Sequence, residues 1–505
     1  MKKIGVLFLC VCLTLSGASL AQEAETAIVL TDKTITVNGE AIAEDASAPV
    51  YLAMENQRHE DVPEELKDLY NRVVVIARGG AYRFTGAASD IQIAVRAEAT
   101  DAVRLILDNA SLTCRTAPAI VIESAMDPRT PGQYGVTIEL AGENAVTGSH
   151  TVRINEDDVK FDGAIDSLVS LGFEGNGSLR VDADNEGIEV KFGHLTINGG
   201  SFHVTSGDDP LNVSEDGVGV LTVNDGYLYS AVKPIAGGEG DGIDSNGYIV
   251  FNGGTAINLA HPASGDSGID SDMGSTVNGG IIVGAGNMYD PIETTSEQLF
   301  MMLEFAEATD QLVVVTDEKD TPIFAYDFPH NYTYIAFSTP DLKEGETYRV
   351  YLGGKIEGES QEGLYTTITA YTPGQRMQHG EGTASPMGFM GGMTPPEGFE
   401  NSFGEVDLNE LLKDRDLNEL LKDKDLNGLL TGFSPADLFT EEEMKALFGD
   451  MTPPQMPDQN FERGRGGFGG MGRGPRGLES SSDVATVDFV LASESSGFTN
   501  IRSAQ

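Results

Sequence analysis

Four acidic side chains and one asparagine follow short apolar segments at five places between residues 164 and 270. At each place a small residue or proline is followed by Ile or Leu and then by a polar residue. The five polar residues are Asp166, Glu189, Asn212, Asp244 and Asp270. Because side chains alternate across a β-strand, the residue after a buried Ile or Leu points outward, and neighbouring strands lie roughly 4.8 Å apart. Carboxylates stacked at that distance disfavour each other's ionisation unless a cation lies among them. The spacing therefore predicts a cation site.

The expected cation is calcium (Ca2+), because dense carboxylates are the hard oxygen ligands that this ion prefers. The main candidate ligands are Asp241, Asp244, Asp266, Asp270 and Asp272. Further candidates are Asp166, Glu189, Asp208 and Asp209. Asn212 interrupts the row of outward carboxylates, so the sequence leaves open whether calcium binds at that position. The alternative interpretation is a solvated acidic face on a very acidic protein.

A second repeated motif indicates how these segments become neighbours. Asparagine precedes Gly or Asp-Gly at the end of four similar segments, at Asn198, Asn224, Asn252 and Asn278, with spacings of 26, 28 and 26 residues. Two interleaved strand series with one period are typical of successive coils of a solenoid. Glycine accepts the positive φ of a turn, and stacked asparagines can form a hydrogen-bonded amide ladder. The sequence predicts an all-β fold, a parallel β-helix.

The first 21 residues have the composition of a secretory signal peptide. Lys2 and Lys3 precede an apolar run at 4–15, and small residues lead to Ala21. This order is typical of a cleaved signal, and the run is too short to cross a bilayer. We expect cleavage near Ala21, no transmembrane segment, and secretion to an extracellular or periplasmic location. Cys114 then has no partner for an internal disulfide, and its strand-like surroundings predict a buried thiol.

The patterns divide the rest of the chain into four parts. These are a parallel β-helix domain at 22–297, an antiparallel β cap at 298–372, a disordered Met-, Gly- and Pro-rich insertion at 373–482, and a returning strand with a terminal tail at 483–505. Alternating apolar segments after residue 298 predict the cap, since solenoid ends need their apolar and hydrogen-bonding edges covered. The insertion lacks the apolar content that ordering requires. Strand-like alternation at 484–491 predicts pairing within the cap.

The charge balance limits the classes of partner. The chain has 79 acidic and 32 basic residues and a formal net charge of −47. Such a chain repels nucleic acid and anionic membranes, so we expect no nucleic-acid partner. It meets an acidic polysaccharide only where a cation lies between them.

Several segments resemble a family of bacterial extracellular carbohydrate-binding proteins with the right-handed parallel β-helix of pectate lyases. The segments are Ala81-Tyr-Arg-Phe-Thr-Gly, Val103-Arg-Leu-Ile-Leu-Asp-Asn-Ala-Ser-Leu-Thr-Cys, Gly175-Asn-Gly-Ser-Leu-Arg-Val, Gly240-Asp-Gly-Ile-Asp-Ser-Asn-Gly and Phe251-Asn-Gly-Gly. The resemblance covers about residues 26–372 and resumes near Val484. It implies a right-handed β-helix, calcium in the aspartate-bearing turns, and binding of plant cell-wall polymers such as polygalacturonate or cellulose. Pro210 replaces a glycine of the family pattern.

Candidate carbohydrate contacts are few, because the chain has no Trp. Tyr227, Tyr229 and Tyr248 offer smaller stacking surfaces, and Lys233 is the cationic side chain nearest the aspartates in sequence. Tyr227 and Tyr229 share one face by alternation, so simple packing is the competing interpretation. Lys233 is equally compatible with a salt bridge.

We therefore expect a calcium-dependent binder of an acidic plant cell-wall polysaccharide such as polygalacturonate, and we assume a monomer. One alternative is a calcium-dependent, pectate-type polysaccharide lyase, which needs a Lys or Arg base beside the cation. Between Gly193 and Asp290 the sequence offers only Lys233 for that role, which favours a binder over an enzyme. A second alternative is a structural cell-surface or adhesion protein without glycan specificity.

Overall fold

The computed structural model describes residues 24–56, 64–148, 152–154, 159–293, 295–379, 489–490 and 498–502. Within them the secondary structure is almost entirely β, with one 3₁₀ turn at Glu64–Leu66. The predicted all-β class is confirmed. No helix in this part of the chain is long and apolar enough to cross a membrane. The predicted signal peptide at 1–21 and all but the first residues of the predicted insertion at 373–482 lie outside the described residues.

The strands before residue 290 are short and closely spaced. The first are β1 (Thr26–Leu30), β2 (Ile35–Val37), β3 (Glu40–Ala41), β4 (Val50–Glu55), β5 (Asn71–Ile76), β6 (Gly80–Ser89), β7 (Ile91–Arg96), β8 (Val103–Thr113), β9 (Ile120–Ser124), β10 (Val136–Ala141), β11 (Glu143–Gly148), β12 (Val152–Ile154) and β13 (Val159–Phe161). Then come β14 (Gly163–Ser167), β15 (Leu171–Gly175), β16 (Ser178–Ala183), β17 (Glu186–Val190), β18 (His194–Ile197), β19 (Ser201–Ser206), β20 (Leu211–Val213), β21 (Val220–Val223), β22 (Tyr227–Val232), β23 (Asp244–Ser245), β24 (Tyr248–Phe251), β25 (Thr255–Leu259), β26 (Asp270–Ser271), β27 (Gly274–Val277) and β28 (Ile281–Gly286).

Parallel pairing arranges these strands in three columns. The first column includes β10, β15, β18, β21, β24 and β27, and the second includes β11, β16, β19, β22, β25 and β28. The third is a sheet in the order β26-β23-β20-β17-β14-β9-β7-β5-β4, parallel except for its β4–β5 end. From β17 onward the chain visits the third, first and second columns in turn, so strands of successive turns stack. The right-handed winding stays a prediction.

Apolar side chains fill the space between the columns. The residues predicted to point inward, Ile165, Ile188, Leu211, Ile243 and Ile269, are all buried. They belong to one large cluster that also contains residues of the first and second columns. Burial of apolar area is the main favourable term in folding, so this cluster fixes which face of each strand meets solvent.

After the last turn, mainly antiparallel strands cover the stack. They are β29 (Phe300–Thr309), β30 (Val313–Asp317), β31 (Pro322–Tyr326), β32 (Tyr332–Ser338), β33 (Thr347–Gln361), β34 (Leu364–Arg376), β35 (Gln378–His379), β36 (Phe489–Val490) and β37 (Phe498–Arg502). β32 pairs with β28 and so covers the open edge of the second column. β36 pairs with β33, and β37 pairs with β29 and β35.

The sheet of β30, β31, β33, β34 and β36 packs against the outward side of the second column. A second apolar cluster joins Ile257, Leu259 and Val283 of that column to Val313 and Tyr326 of this sheet. The last turns of the second column are therefore buried on both faces. The polar residues of the third column lie on the face of that sheet that points away from the core.

Candidate functional site

The third column brings the predicted outward side chains into one row. Asp166 lies opposite Glu189, Glu189 opposite Asn212, Asn212 opposite Asp244, and Asp244 opposite Asp270. We call these five residues the carboxylate ladder. The strands form because a branched apolar residue in each faces the core, which leaves the next residue on the outer face. The row has the register that the sequence predicts.

A second acidic row lies three residues earlier in three of the turns. Its members are Glu186, Asp209 and Asp241. The backbone N–H of Asp241 donates to Asp209 Oδ1 at 2.6 Å, and the N–H of Ser267 donates to Asp241 Oδ1 at 2.6 Å. These bonds connect adjacent turns and hold the carboxylates close to the ladder.

Together the two rows and their flanking loops form three groups whose ligand atoms lie within 4.8 Å of one another in the described part of the chain. The groups are Asp241 with Asp244 and Asp270, Glu186 with Asp208 and Asp209, and Asp162 with Asp166 and Glu189. We call them the upper, middle and lower groups. Most of the sequence-predicted cation ligands belong to one of the three. Asp266 accepts a hydrogen bond from the Gly240 N–H at 2.8 Å, and Asp272 acts electrostatically on Asp244 and Asp270.

The upper group is partly exposed and strongly perturbed. Burial and the nearby Asp270 carboxylate raise the pKa of Asp241 to about 8. The same two causes raise the pKa of Asp244 to about 7. Burial and Asp272 raise the pKa of Asp270. Three carboxylates in this arrangement oppose one another's ionisation, and a divalent cation would remove that opposition.

The middle group contains a buried carboxylate oxygen without a hydrogen-bond partner. Glu186 is only 7% exposed, and its Oε2 is buried without a hydrogen-bond partner in the structure. Burial and Asp209 raise the pKa of Glu186, and burial and Glu239 raise the pKa of Asp208 to about 6. A buried acceptor without a donor is costly in a protein interior. Oxygen ligands of this kind fit a hard cation.

The lower group has a cation supplied by the chain. Lys191 Nζ lies 2.5 Å from Asp162 Oδ1 and also pairs with Glu189. Burial opposes ionisation of Asp162, but Lys191 holds its pKa below the usual range. Burial raises the pKa of Asp166 to about 7. The neighbouring carboxylates raise the pKa of Lys191 against the effect of burial, so the ammonium stays charged.

The predicted carbohydrate contacts fall in different surroundings. Tyr227 and Tyr229 are half-buried against the cluster formed with β30 and β31, and the Tyr229 ring centre lies 4.8 Å from that of His203. Tyr248 is 41% exposed at the start of β24. Lys233 Nζ lies 2.5 Å from Asp182 Oδ1, so it forms the salt bridge that the sequence left as an alternative.

Three acidic residues of the site are absent from the sequence-based candidates. Glu186 precedes Glu189 by three residues, as Asp241 precedes Asp244, so the spacing contains the signal that identifies it. Asp162 precedes Asp166 by four residues, as Asp266 precedes Asp270. Asp290 has no such spacing. Its Oδ2 accepts from the Ser271 hydroxyl at 3.0 Å, and burial and Asp270 raise its pKa to about 7.

The part of the chain that contains all three groups matches a known protein family. Residues 70–312 match the model of a family described as carbohydrate-binding domain-containing protein. The predicted resemblance to carbohydrate-binding proteins is confirmed over that range. A solved structure, that of the polysaccharide lyase-like protein from C. thermocellum in a gadolinium derivative, is 22% identical with a TM-score of 0.34, covering 51% of this chain and 94% of that one. The search of curated proteins gave no match.

Proposed function

We propose that the protein is a secreted, calcium-dependent binder of an acidic polysaccharide such as polygalacturonate, and that its stacked turns wind as a right-handed parallel β-helix. The observation that carries the proposal is the upper group. Asp241, Asp244 and Asp270 bring their oxygens together on a partly exposed surface within the segment that matches the carbohydrate-binding family.

Calcium fits the donor set of this group. The ion takes six to eight oxygen ligands, so three carboxylates leave positions that a ligand can fill. A bound cation also reverses the local sign of the electrostatic field. That reversal matters because the chain has a net charge of −47, and a polyuronate would otherwise be repelled.

Lys191 and Lys233, which both pair with carboxylates, favour binding without cleavage. A lyase needs a Lys or Arg that can accept a proton beside the cation. Lys191 pairs with Asp162 and Glu189, and Lys233 pairs with Asp182. The neighbouring carboxylates raise the pKa of Lys191, so its ammonium is a poor base.

The test is retention of polygalacturonate and of cellulose by the purified protein, in calcium and in excess chelator. We expect polygalacturonate to be retained in calcium and released by the chelator. The double variant Asp244→Asn, Asp270→Asn should lose retention, whereas Asp310→Asn, Asp341→Asn, which changes two exposed aspartates of the cap, should keep it. Equal retention in chelator would contradict calcium bridging. Release of unsaturated products that absorb in the ultraviolet would show that the protein is a lyase and not only a binder.

A further inference from the structure

The outer face of the second column carries three side chains that are partners in the strand register. Arg180 of β16 lies opposite His203 of β19, and His203 lies opposite Tyr229 of β22. Leu179 and Phe202, which precede two of them, belong to the core, so alternation places the three side chains on the outer face. Successive members step along the stack by roughly 4.8 Å. We call them the Arg–His–Tyr row.

The row passes from open surface to covered surface. Arg180 is exposed, and the His203 side chain is 33% exposed. Tyr229 is half-buried, and the next residue in the row, Ile257, is fully buried against the sheet of the cap. The turn between β33 and β34 borders the row here, with Glu362 Oε1 3.5 Å from His203 Nε2. The row is therefore the floor of a step in the surface, and this turn is its wall.

Arg180 is a cation without an acidic partner. Residues 163–293 are described throughout and contain three Lys or Arg side chains. Lys191 and Lys233 pair with carboxylates. Within the described residues the Arg180 side chain has no ion pair or hydrogen bond. A guanidinium binds a carboxylate through two parallel hydrogen bonds, so Arg180 can bind an anionic group from solution.

The ring of His203 lies between Arg180 and Tyr229. The ring centres of His203 and Tyr229 are 4.8 Å apart, with their planes inclined by 35°. Because the row is linear, the other face of the imidazole is directed toward the strand of Arg180. An imidazole has an apolar body and a polar tip, and a sugar ring has apolar faces made of C–H groups. The free face of His203 thus suits contact with a sugar ring beside the guanidinium.

Hydroxyl groups flank the row on the same face. Ser178 and Ser201 lie two residues before Arg180 and His203, opposite each other, and both are partly exposed. A serine hydroxyl both donates and accepts hydrogen bonds, and the carboxylate of Glu362 accepts them. These are the groups that bind the hydroxyls of a sugar.

The surrounding charge favours a ligand with a single negative charge. Asp182 lies two residues after Arg180 on the same face, and Glu362 lies beside His203. Two acids at such distances oppose a doubly charged phosphate more strongly than a carboxylate. A nucleic acid or an anionic membrane is also repelled by the net charge of −47.

We propose that this step is a second binding site, which takes one sugar ring with a carboxylate, such as galacturonate, and needs no calcium. Arg180 binds the carboxylate, and the free face of His203 contacts the ring. Ser178, Ser201 and Glu362 bind hydroxyls. The site lies on a different column from the three acidic groups and uses a cation of the chain itself. It therefore goes beyond the proposed function and does not depend on calcium bridging.

The test is titration of galacturonate and of galactose into the Asp244→Asn, Asp270→Asn variant in excess chelator, which removes calcium and two of its proposed ligands. We expect galacturonate to bind and galactose to bind about tenfold more weakly, because it offers the guanidinium no carboxylate. Adding Arg180→Gln should weaken galacturonate about tenfold and leave galactose unchanged. The control Lys33→Gln makes the same change of charge at an exposed turn residue and should alter neither affinity. Melting temperatures of the variants should agree.

A second variant tests the ring contact. His203→Ala should weaken galacturonate and galactose alike, because the contact does not involve the carboxylate. Inorganic phosphate should compete poorly with galacturonate. If phosphate binds as tightly, the site takes anions without recognising a sugar, and the proposal is wrong.

The outcomes separate this site from calcium bridging. If galacturonate does not bind in chelator, or binds as tightly after Arg180→Gln, this site is wrong even where polygalacturonate is retained in calcium. If galacturonate binding depends on Arg180 but calcium retains no polygalacturonate, this site stands and the proposed function fails.

Discussion

The stack carries two ladders of polar side chains that repeat with nearly the same period and differ in one chemical property. In the amide ladder, Asn224 donates to Asn198 at 2.7 Å, Asn252 donates to Asn224 at 2.7 Å, and Asn278 donates to Asn252 at 2.9 Å. Asn198 donates in turn to the Tyr134 hydroxyl, which donates to Glu174 at 2.6 Å. Each asparagine side chain has both a donor and an acceptor, so neighbouring asparagines satisfy each other's hydrogen bonds.

The carboxylate ladder cannot do this, because an ionised carboxylate only accepts. Nearby carboxylates raise the pKa of its members Asp244 and Asp270, and Asp270 raises the pKa of the adjacent Asp241. The lower group is the exception, since Lys191 supplies donors and positive charge. The comparison indicates that an amide row is stabilised by its own hydrogen bonds, whereas an acidic row needs bound protons or a nearby positive charge to offset its repulsion.

The largest expected effect comes from removing the cation that the chain supplies. Lys191→Met should lower the free energy of unfolding in chelator by about 3–5 kcal/mol, because it leaves buried carboxylates without their partner. Denaturant unfolding measures the change. The control is Lys355→Met, whose pair with Glu357 is 70% and 61% exposed and should contribute almost nothing. Equal stability of the two variants would show that the lower group does not depend on Lys191.

The next effect concerns cations from solution and depends on pH. In the folded protein the pKa of Asp241 is raised to about 8 and that of Asp244 to about 7, from 3.8. An acid with a raised folded-state pKa binds more protons when folded, so its contribution to stability is present below about pH 4 and is lost as pH rises toward 8. Under the proposed function calcium would replace those protons, so we expect its benefit to grow over the same range.

At 100 times the dissociation constant, calcium should add about 2.7 kcal/mol to the stability at pH 8. The gain should be much smaller at pH 5, where protons compete for the carboxylates. Thermal melting with calcium and with chelator at both pH values checks this. A gain that is the same at pH 5 and pH 8 would contradict binding at the upper group.

A smaller effect is expected when one acidic rung is replaced by an amide. In chelator at pH 8, Asp244→Asn should raise the stability by roughly 2 kcal/mol, the order of the repulsion between two charges about 5 Å apart at intermediate polarity. The same variant should respond less to calcium. Asp310→Asn is the control, because Asp310 is exposed in the cap. A loss of stability in chelator would indicate that the Asp244 charge is already compensated.

The repeated residues made much of this comparison predictable from sequence. Buried Ile243 and Ile269 fix the face of their strands, so the outward position of Asp244 and Asp270 follows from alternation. The amide ladder follows from the spacing of the asparagines. Local pattern and global fold agree at these positions, which is typical of foldable sequences.

Contacts between distant segments were not predictable in the same way. Alternation places Tyr227 and Tyr229 on one face but does not say that the sheet of β30, β31, β33, β34 and β36 covers it. The sequence places Lys191 beside the ladder, yet its partner Asp162 lies 29 residues away in an earlier turn. Asp290 follows the last turn, where no further repeat exists to mark it.

The smallest expected effect comes from the reverse exchange, in which a carboxylate enters the amide ladder. Asn224→Asp keeps the acceptor for Asn252 but removes the donor to Asn198, so it should cost about 1 kcal/mol, the net value of one hydrogen bond. Acid should recover part of this loss, because a protonated carboxyl donates again. Calcium should not, since the neighbouring rungs are neutral amides and supply no second charge for the ion. Asn224→Ala, which removes both bonds, should show the loss without the recovery in acid. Unfolding of the two variants at pH 4 and pH 8, with and without calcium, measures the loss of stability, its recovery in acid and its response to calcium. If calcium restores Asn224→Asp, a single carboxylate in the stack suffices for a cation, and the requirement for grouped carboxylates is wrong.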